Sequence, residues 1–260
     1  MQTLQLFSPP KIVGIFTDID DTLTTEGRIT PDALQALADL KAAGLQVVPI
    51  TGRPVGWSEP FAKSWPVDAI VAENGAVGLR HSAEQGLHKI YQQDAATRSA
   101  NFDRMQAVLA HIERTVSGAC RSQDSAGRET DIAIDHSEFT HLAPAAITEV
   151  VQLMQAAGMT ATVSSIHING WLGTHSKLTG ARWIVRELWG RDLDTEIDRW
   201  VYVGDSTNDQ VMFEHFPHSV GVANIRRFEA QLKHPPRYIT QGERGAGFAE
   251  LTRHLLTGQT

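Results

Sequence analysis

The 260-residue chain has one cysteine, Cys120. An internal disulfide is therefore excluded, and the thiol content fits a reducing compartment. Long apolar runs are missing as well. No stretch approaches the length that spans a bilayer, and residues 1–10 carry neither a charged start nor an apolar stretch of the secretory kind. The expectation is a cytoplasmic protein with no membrane partner. Basic runs are also missing: Lys and Arg total 23 against 30 Asp and Glu, a net charge of −7, so nucleic acid is not an expected partner. The 11 histidines form no metal-ligand spacing, and His136 and His141 read as surface or loop residues. Repeats and low-complexity segments are absent. What remains is a chain with 42% hydrophobic residues, enough for one large domain or two moderate ones.

The most informative stretch runs from Lys11 to Thr22. Ile12, Val13, Ile15 and Phe16 form a short apolar run rich in β-branched and aromatic residues, which predicts a buried parallel strand. Asp18, Asp20 and Asp21 follow at once. In an open α/β sheet ligands bind at the carboxyl ends of the strands. Alternation places Asp18 and Asp20 on one side, with Ile19 turned away. Two carboxylates held together repel each other and invite a cation. Hard oxygen ligands suit Mg²⁺, with phosphate as its usual companion. The plainer alternative is a solvated acidic turn that caps the next helix.

Thr30-Pro31 predicts a helix start and Gly44 its end. A strand over 45–50 leads into Thr51-Gly52-Arg53-Pro54, where a hydroxyl and a glycine before a helix make a natural anion site, or an ordinary turn. A strand over 69–72 completes a β-α-β-α-β pattern, which means a doubly wound parallel sheet. The pattern then changes. A hairpin over 76–91, a helix over 102–116, strands over 119–123 and 131–135, a helix over 144–157 and strands over 160–164 and 166–169 describe an α+β unit. We take 83–172 as an inserted domain, with 1–82 and 173–260 as the core. In the insert, Ile166 and Ile168 alternate with His167 and Asn169, so the two polar side chains share one face, turned either to the active site or to solvent. Arg128 is expected to be a solvated loop arginine. The α/β rhythm resumes at Ser176-Lys177 with a helix over 178–189. A strand over 200–203 runs into Gly204-Asp205-Ser206-Thr207-Asn208-Asp209. A strand over 219–222, a helix over 224–232, an edge strand at 238–239 and a helix over 249–256 finish the chain.

Four segments thus stand in order: Asp18-x-Asp20-x-Thr22, Thr51-Gly52-Arg53, Lys177 and Gly204-Asp205-x-x-Asn208-Asp209. Together they span nearly the whole chain and resemble the four signature motifs of the haloacid dehalogenase superfamily of phosphotransferases. The insert lies between the Thr51 motif and Lys177 and resembles a class II cap of subtype B. Such caps occur in Cof-type sugar phosphatases, sucrose-phosphate phosphatase, mannosyl-3-phosphoglycerate phosphatase, archaeal phosphoglycolate phosphatase and phosphomannomutase. The Asn74-Gly75 step is similar to that subgroup too, whereas Ser176 stands where many relatives carry an acid.

The resemblance implies a Rossmann-like core and a Mg²⁺-dependent phosphatase acting on a small phosphorylated sugar or glycoside. In the roles it implies, Asp18 attacks phosphorus and forms an aspartyl-phosphate. Asp20 protonates the leaving alcohol and then deprotonates the attacking water. The metal set comprises Asp18, Asp20 through its backbone carbonyl, and Asp205. Asp209 joins that set and, with Asn208, orients Lys177 or nearby water. Thr51, the Gly52 amide and Arg53 attend the phosphoryl oxygens, and Thr22 buttresses the loop. Apart from the resemblance, His167 and Asn169 would read the leaving group if their shared face looks at the active site. The physics agrees. At ~4 Å and an effective dielectric of about 20, each carboxylate–phosphate charge pair costs roughly 4 kcal/mol, on the order of a thousandfold in rate, so Mg²⁺ and Lys177 are required. Two other readings are a phosphomutase and a non-enzymatic phosphate-responsive module, since receiver domains also combine an acidic cluster, a hydroxyl residue and a lysine. The expected partner is a small phosphorylated molecule, and the expected assembly a monomer or homodimer.

Overall fold

The computed structural model describes residues 1–8 and 11–258. Six parallel strands form the central sheet, in the spatial order Gln2–Thr3, Tyr238–Ile239, His218–Gly221, Trp200–Gly204, Gly14–Thr17 and Gln46–Pro49. A parallel bridge from Ile50 to Val71 brings Ile70–Ala72 alongside the last of these. The doubly wound sheet is therefore present. Its edge is Gln2–Thr3 and not Tyr238–Ile239, because the first strand is too short to carry a periodic signal.

Alternate residues of the buried strands feed two hydrophobic layers, as the pleat requires. Ile15, Val47 and Val201 join Leu37 and Leu40 of the helix Pro31–Ala42 and Phe248 of the helix Arg244–Thr257. Phe16, Val48 and Tyr202 join Ile184 of the helix Lys177–Trp189 and Met212 of Gln210–His215. Gly14–Thr17 sits between Trp200–Gly204 and Gln46–Pro49, where the winding reverses direction. That reversal leaves a crevice at the strand ends. The Asp18 amide donates to the Val203 carbonyl at 2.8 Å and fixes the acidic loop at that point.

The insert has its own four-stranded antiparallel sheet, in the order Thr160–Val163, His167–Trp171, Asp131–Asp135, Cys120–Arg121. Ile132, Ile134 and Ile168 turn to one face and pack with Met105, Leu109, Val150 and Met154 of the helices Ala95–Thr115 and Pro144–Ala156. The first of these helices starts earlier than its apolar period predicts. Asp94 caps it by accepting from the Thr97 amide at 2.9 Å, and its first turns hold no large aliphatic residue. The helix expected over 224–232 is a 3₁₀ segment, Ala223–Gln231.

The strand Gly86–Tyr91 pairs with Val77–Ser82, which pairs with Ile70–Ala72. Leu87 and Tyr91 pack against the core's hydrophobic layer, and the insert's own layer begins at Met105. We propose that the insert begins after Tyr91 and ends at Leu172. Among the described residues no helix is long and apolar enough to cross a membrane.

The opposite face of the insert sheet is polar and still buried. In register, Asp135 pairs with His167 and Ala133 with Asn169; all four are buried, Asn169 against the core at Gly52 and Asp135 beneath the insert's own loop at Ser137 and Phe139.

Candidate active site

Lys177 links the two halves of the acidic crevice. Its Nζ donates to Asp18 Oδ1 at 2.6 Å and to Asp209 Oδ1 at 2.7 Å, with all three side chains buried. The lysine is the first residue of its helix, and Ser176 supplies the cap. The Thr179 amide donates to Ser176 Oγ at 3.2 Å while the Ser176 amide donates to Thr179 Oγ1 at 2.8 Å. A serine at 176 thus has a local job that needs no acid. The helix start is seated on the bend after Ile70–Ala72, where Gly75 lies against the Ser176 carbonyl and Gly180. Gly75 has φ of +109°, and a side chain at either glycine would collide with backbone.

Asp209 is saturated. Besides Lys177, its Oδ1 accepts from the Tyr202 hydroxyl at 2.5 Å, and its Oδ2 accepts from the Asp205 and Ser206 amides at 2.9 and 3.1 Å. Gly204 leaves the room this carboxylate needs. Asp205 differs: its Oδ2 accepts from Asn224 Nδ2 at 3.1 Å, but its buried Oδ1 has no partner.

The charges are unbalanced. Burial pushes the Asp18 carboxyl up to about 7, with Asp209 and Asp20 adding to the push and Lys177 opposing it. Burial, then the Asp18 and Asp209 charges, raise Asp205 well above the ordinary carboxylate range. For Lys177 burial favours the neutral amine, but Asp18 and Asp209 outweigh it and keep the cation. Carboxylate oxygens of Asp18, Asp205 and Asp209 lie within 4.8 Å of one another. Three acids around one ammonium, with one orphaned carboxylate oxygen, form a donor set that a hard divalent cation fits.

Thr51 is buried, and its Oγ1 accepts from the Arg53 amide at 3.0 Å. At the place where a Cβ on Gly52 would sit, Asn169 Oδ1 is 3.2 Å away and Asn74 Nδ2 3.3 Å, so both amides crowd this turn. Asn208 accepts from Ser206 Oγ at 2.8 Å. Thr22 is fully buried beneath the acidic loop. A narrow pocket is walled by Asp18, Asp20, Gly52, His167, Asn169 and Asn208, together with Arg53. The Arg53 guanidinium is committed to acids: Nη2 donates to Asp20 at 2.9 Å and Glu138 at 2.7 Å, and Nη1 to Asp124 at 3.2 Å. Asp20 belongs to the core and the other two acids to the insert, so this arginine ties the two together. His167 Nε2 stands 2.9 Å from Glu138 Oε2. Asn169 Nδ2 donates to the Gly52 carbonyl at 3.2 Å and to Asp131 Oδ2 at 3.0 Å.

Arg128 corrects the expectation of a solvated loop. It is 5% exposed, and its Nη1 donates to the Gly52 carbonyl at 3.0 Å and to Asp131 at 2.8 Å, while Nη2 reaches Asp124 at 3.1 Å. The loop lies against the turn after Gln46–Pro49, a contact no local pattern encodes. His136 is half-buried, its Nε2 3.0 Å from the Ser164 carbonyl, and is not a free surface residue. Glu73 is another tie between the core and the insert that has no sequence signal. Its buried carboxylate accepts from the amide of Val55, which begins a core helix, and from the amides of Glu129 and Thr130 in the insert. The signal that could have found the inward face is Asp131-Ile132-Ala133-Ile134-Asp135. It alternates as the His167–Asn169 segment does and pairs with it.

A larger cavity of about 760 Å³ opens beside Lys177 and Asn208, between the insert's Thr160–Val163 and the core segment 207–211. A sequence model of one family, described as haloacid dehalogenase-like hydrolase, matches residues 15–131. None of the curated proteins compared with the chain matches it. Among solved structures, the fold is similar to that of a Thermoplasma acidophilum protein, at 16% identity over 95% of this chain and 99% of that one, with a TM-score of 0.71. It is similar to the sucrose-phosphatase of Synechocystis, solved with sucrose and phosphate, at 15% identity over 95% and 98% of the two chains and a TM-score of 0.67. A sugar phosphatase of haloacid dehalogenase subclass IIB matches at 17% identity over 93% and 98%, with a TM-score of 0.61. At these identities the likeness is one of fold.

Proposed function

We propose that the chain is a haloacid dehalogenase-like hydrolase and a Mg²⁺-dependent phosphatase of a small phosphorylated sugar or glycoside; the family-model match over residues 15–131 and the likeness in fold to a subclass IIB sugar phosphatase support this reading. The observation that carries the reading is Lys177 held between Asp18 and Asp209, with the orphaned Asp205 oxygen beside them.

Asp18 attacks phosphorus, and the bond from phosphorus to the leaving oxygen breaks. Asp20 gives its proton to that oxygen. Asp20 then takes a proton from a water that attacks the phosphorus of the aspartyl-phosphate; the bond from the Asp18 oxygen to phosphorus breaks, the carboxylate is restored and inorganic phosphate leaves. Lys177 sets positive charge against the Asp18 oxygen and the approaching phosphoryl group, and Asp209 and Tyr202 hold its amine in place. Thr51 and the Gly52 amide receive the phosphoryl oxygens. Asp18, Asp205 and the Asp20 backbone carbonyl would hold Mg²⁺, which supplies the remaining charge neutralisation. Arg53 keeps Asp20 at the wall shared with Asp18. The insert closes over the site and excludes bulk water, with His167 and Asn169 on its inward face.

The test is phosphate release from p-nitrophenyl phosphate and a panel of phosphorylated metabolites by the purified protein. Release is expected with Mg²⁺ and lost in excess EDTA. No release from any ester in the presence of Mg²⁺ would overturn the reading.

A further inference from the structure

We propose that the large cavity selects an uncharged, polyhydroxylated leaving group and rejects one that carries a second anion, and that the side-chain amide of Asn74 is a donor to that group. The proposal rests on the phosphatase reading and narrows its substrate class.

The cavity has room for a sugar or glycoside, since about 760 Å³ falls within the ~300–1,000 Å³ of small-molecule sites and exceeds what a phosphoryl group fills. Its lining is polar but almost without charge. Thr160, Thr162 and Gln231 offer hydroxyls and an amide, Phe228 offers an apolar face, and the Gln210 amide is tied to Thr207 and Lys233. Among the described residues, the acidic or basic side chains in the wall are His136 and Lys177, and the Lys177 Nζ is already engaged by Asp18 and Asp209. The nearby buried cations, Arg53 and Arg128, do not line this cavity and are held in ion pairs. His136 is in the wall, but burial pushes its imidazole down toward the neutral form, and its Nε2 faces the Ser164 carbonyl. A carboxylate or second phosphate on the leaving group would therefore lose its water without gaining a cation, which is costly. Hydroxyls would find matched donors and acceptors.

Asn74 stands where this cavity meets the phosphoryl-binding turn. It is 2% exposed, its Nδ2 has no partner, and that nitrogen lies beside Gly52. An amide left unpaired in a buried wall is a group prepared for a ligand acceptor. The backbone is built around it. Glu73, Asn74 and Gly75 follow one another with φ of 50°, 55° and 109°, and the Asn74 amide is tied to the Thr51 carbonyl at 2.9 Å. Successive left-handed residues persist only when the surroundings impose them, and they gather at ligand sites.

The experiment compares kcat/KM, with Mg²⁺, for glucose 6-phosphate, sucrose 6-phosphate, 6-phosphogluconate, glucose 1,6-bisphosphate and p-nitrophenyl phosphate. The wild type is expected to favour the better neutral sugar phosphate over both doubly charged esters by about tenfold or more, the worth of one unpaired buried polar group. Asn74→Gly removes the amide while keeping the left-handed backbone. It should lose about tenfold on the neutral sugar phosphates, chiefly in KM, and clearly less on the aryl ester. Gln231→Arg, at an exposed rim position, should shift the ratio several-fold toward 6-phosphogluconate. Equal turnover of charged and neutral sugar esters by the wild type would overturn the charge selection. An equal loss on every ester, or no loss, in Asn74→Gly would overturn the role of the amide. No release from any ester, the aryl phosphate included, would instead remove the phosphatase reading on which the proposal stands.

Discussion

The crevice around Asp18 and the joint around Arg53 both bury carboxylates, and they treat them in opposite ways. In the crevice, Asp18, Asp205 and Asp209 outnumber Lys177, and burial prevails: Asp18 is pushed up to about 7. At the joint burial pushes the same way, but Arg128, Ser122, His167 and Arg53 outweigh it on Asp124, and His167 and Arg53 outweigh it on Glu138, holding both at about 2. Asp131 is the exception at the joint, since burial and Glu73 overcome Arg128 and push it up to about 7, as in the crevice. A cluster short of positive charge has a place for a cation and a phosphate. A cluster in which each carboxylate meets an arginine directly is a fastening.

The sharpest way to break this comparison is at Asp18. Asp18→Asn should abolish turnover and leave the fold intact, because an amide cannot act as the nucleophile but still accepts from Lys177. Wild-type-like hydrolysis with an unchanged circular dichroism spectrum would remove Asp18 from the mechanism. Lys177→Met comes next. It should lower kcat by on the order of a thousandfold, the rate equivalent of one roughly 4 kcal/mol charge pair. A loss below tenfold would show that the crevice does not depend on the lysine's charge.

The insert should respond more gently and more selectively. His167→Ala and Asn169→Ala are expected to cost about 1–3 kcal/mol in kcat/KM on the best sugar phosphate and less on an aryl phosphate. Equal losses on both esters would assign these residues to closure and not to recognition. The smallest effect is in acid. Asp124 and Glu138 have folded pKa values below their ordinary ones, so the stability they lend is complete above about 4.5 and is lost as the pH falls toward about 2. Melting temperature measured across that window should fall less steeply for Glu138→Gln than for the wild type. Parallel curves would deny the joint its part in the acid response.

The crevice was legible in the sequence because each of its parts is local. Asp18 and Asp20, Thr51 and Gly52, and Asp205 to Asp209 each follow a strand within a few residues, so apolar runs and turn chemistry place them without knowledge of the tertiary structure. The joint was not, because its partners meet across long chain separations. Arg53 reaches Glu138 over 85 positions, and Glu73 reaches Thr130 over 57. Arg128 illustrates the failure: a polar loop reads as solvated until another element is packed on it. Alternation did show that His167 and Asn169 share a side, but a period of two cannot say what that side faces.

The meeting of Gly75 and Gly180 behaves as a mechanical stop. Two backbones rest on each other there with no side chain between them, so the seat of the helix that presents Lys177 is gauged by main-chain atoms, which have no rotamers to change. The reach of the ammonium toward Asp18 is then insensitive to side-chain fluctuation in the surrounding layer. A single methyl group at either glycine would act as a shim, lifting the helix start and drawing the charge out of register with the nucleophile.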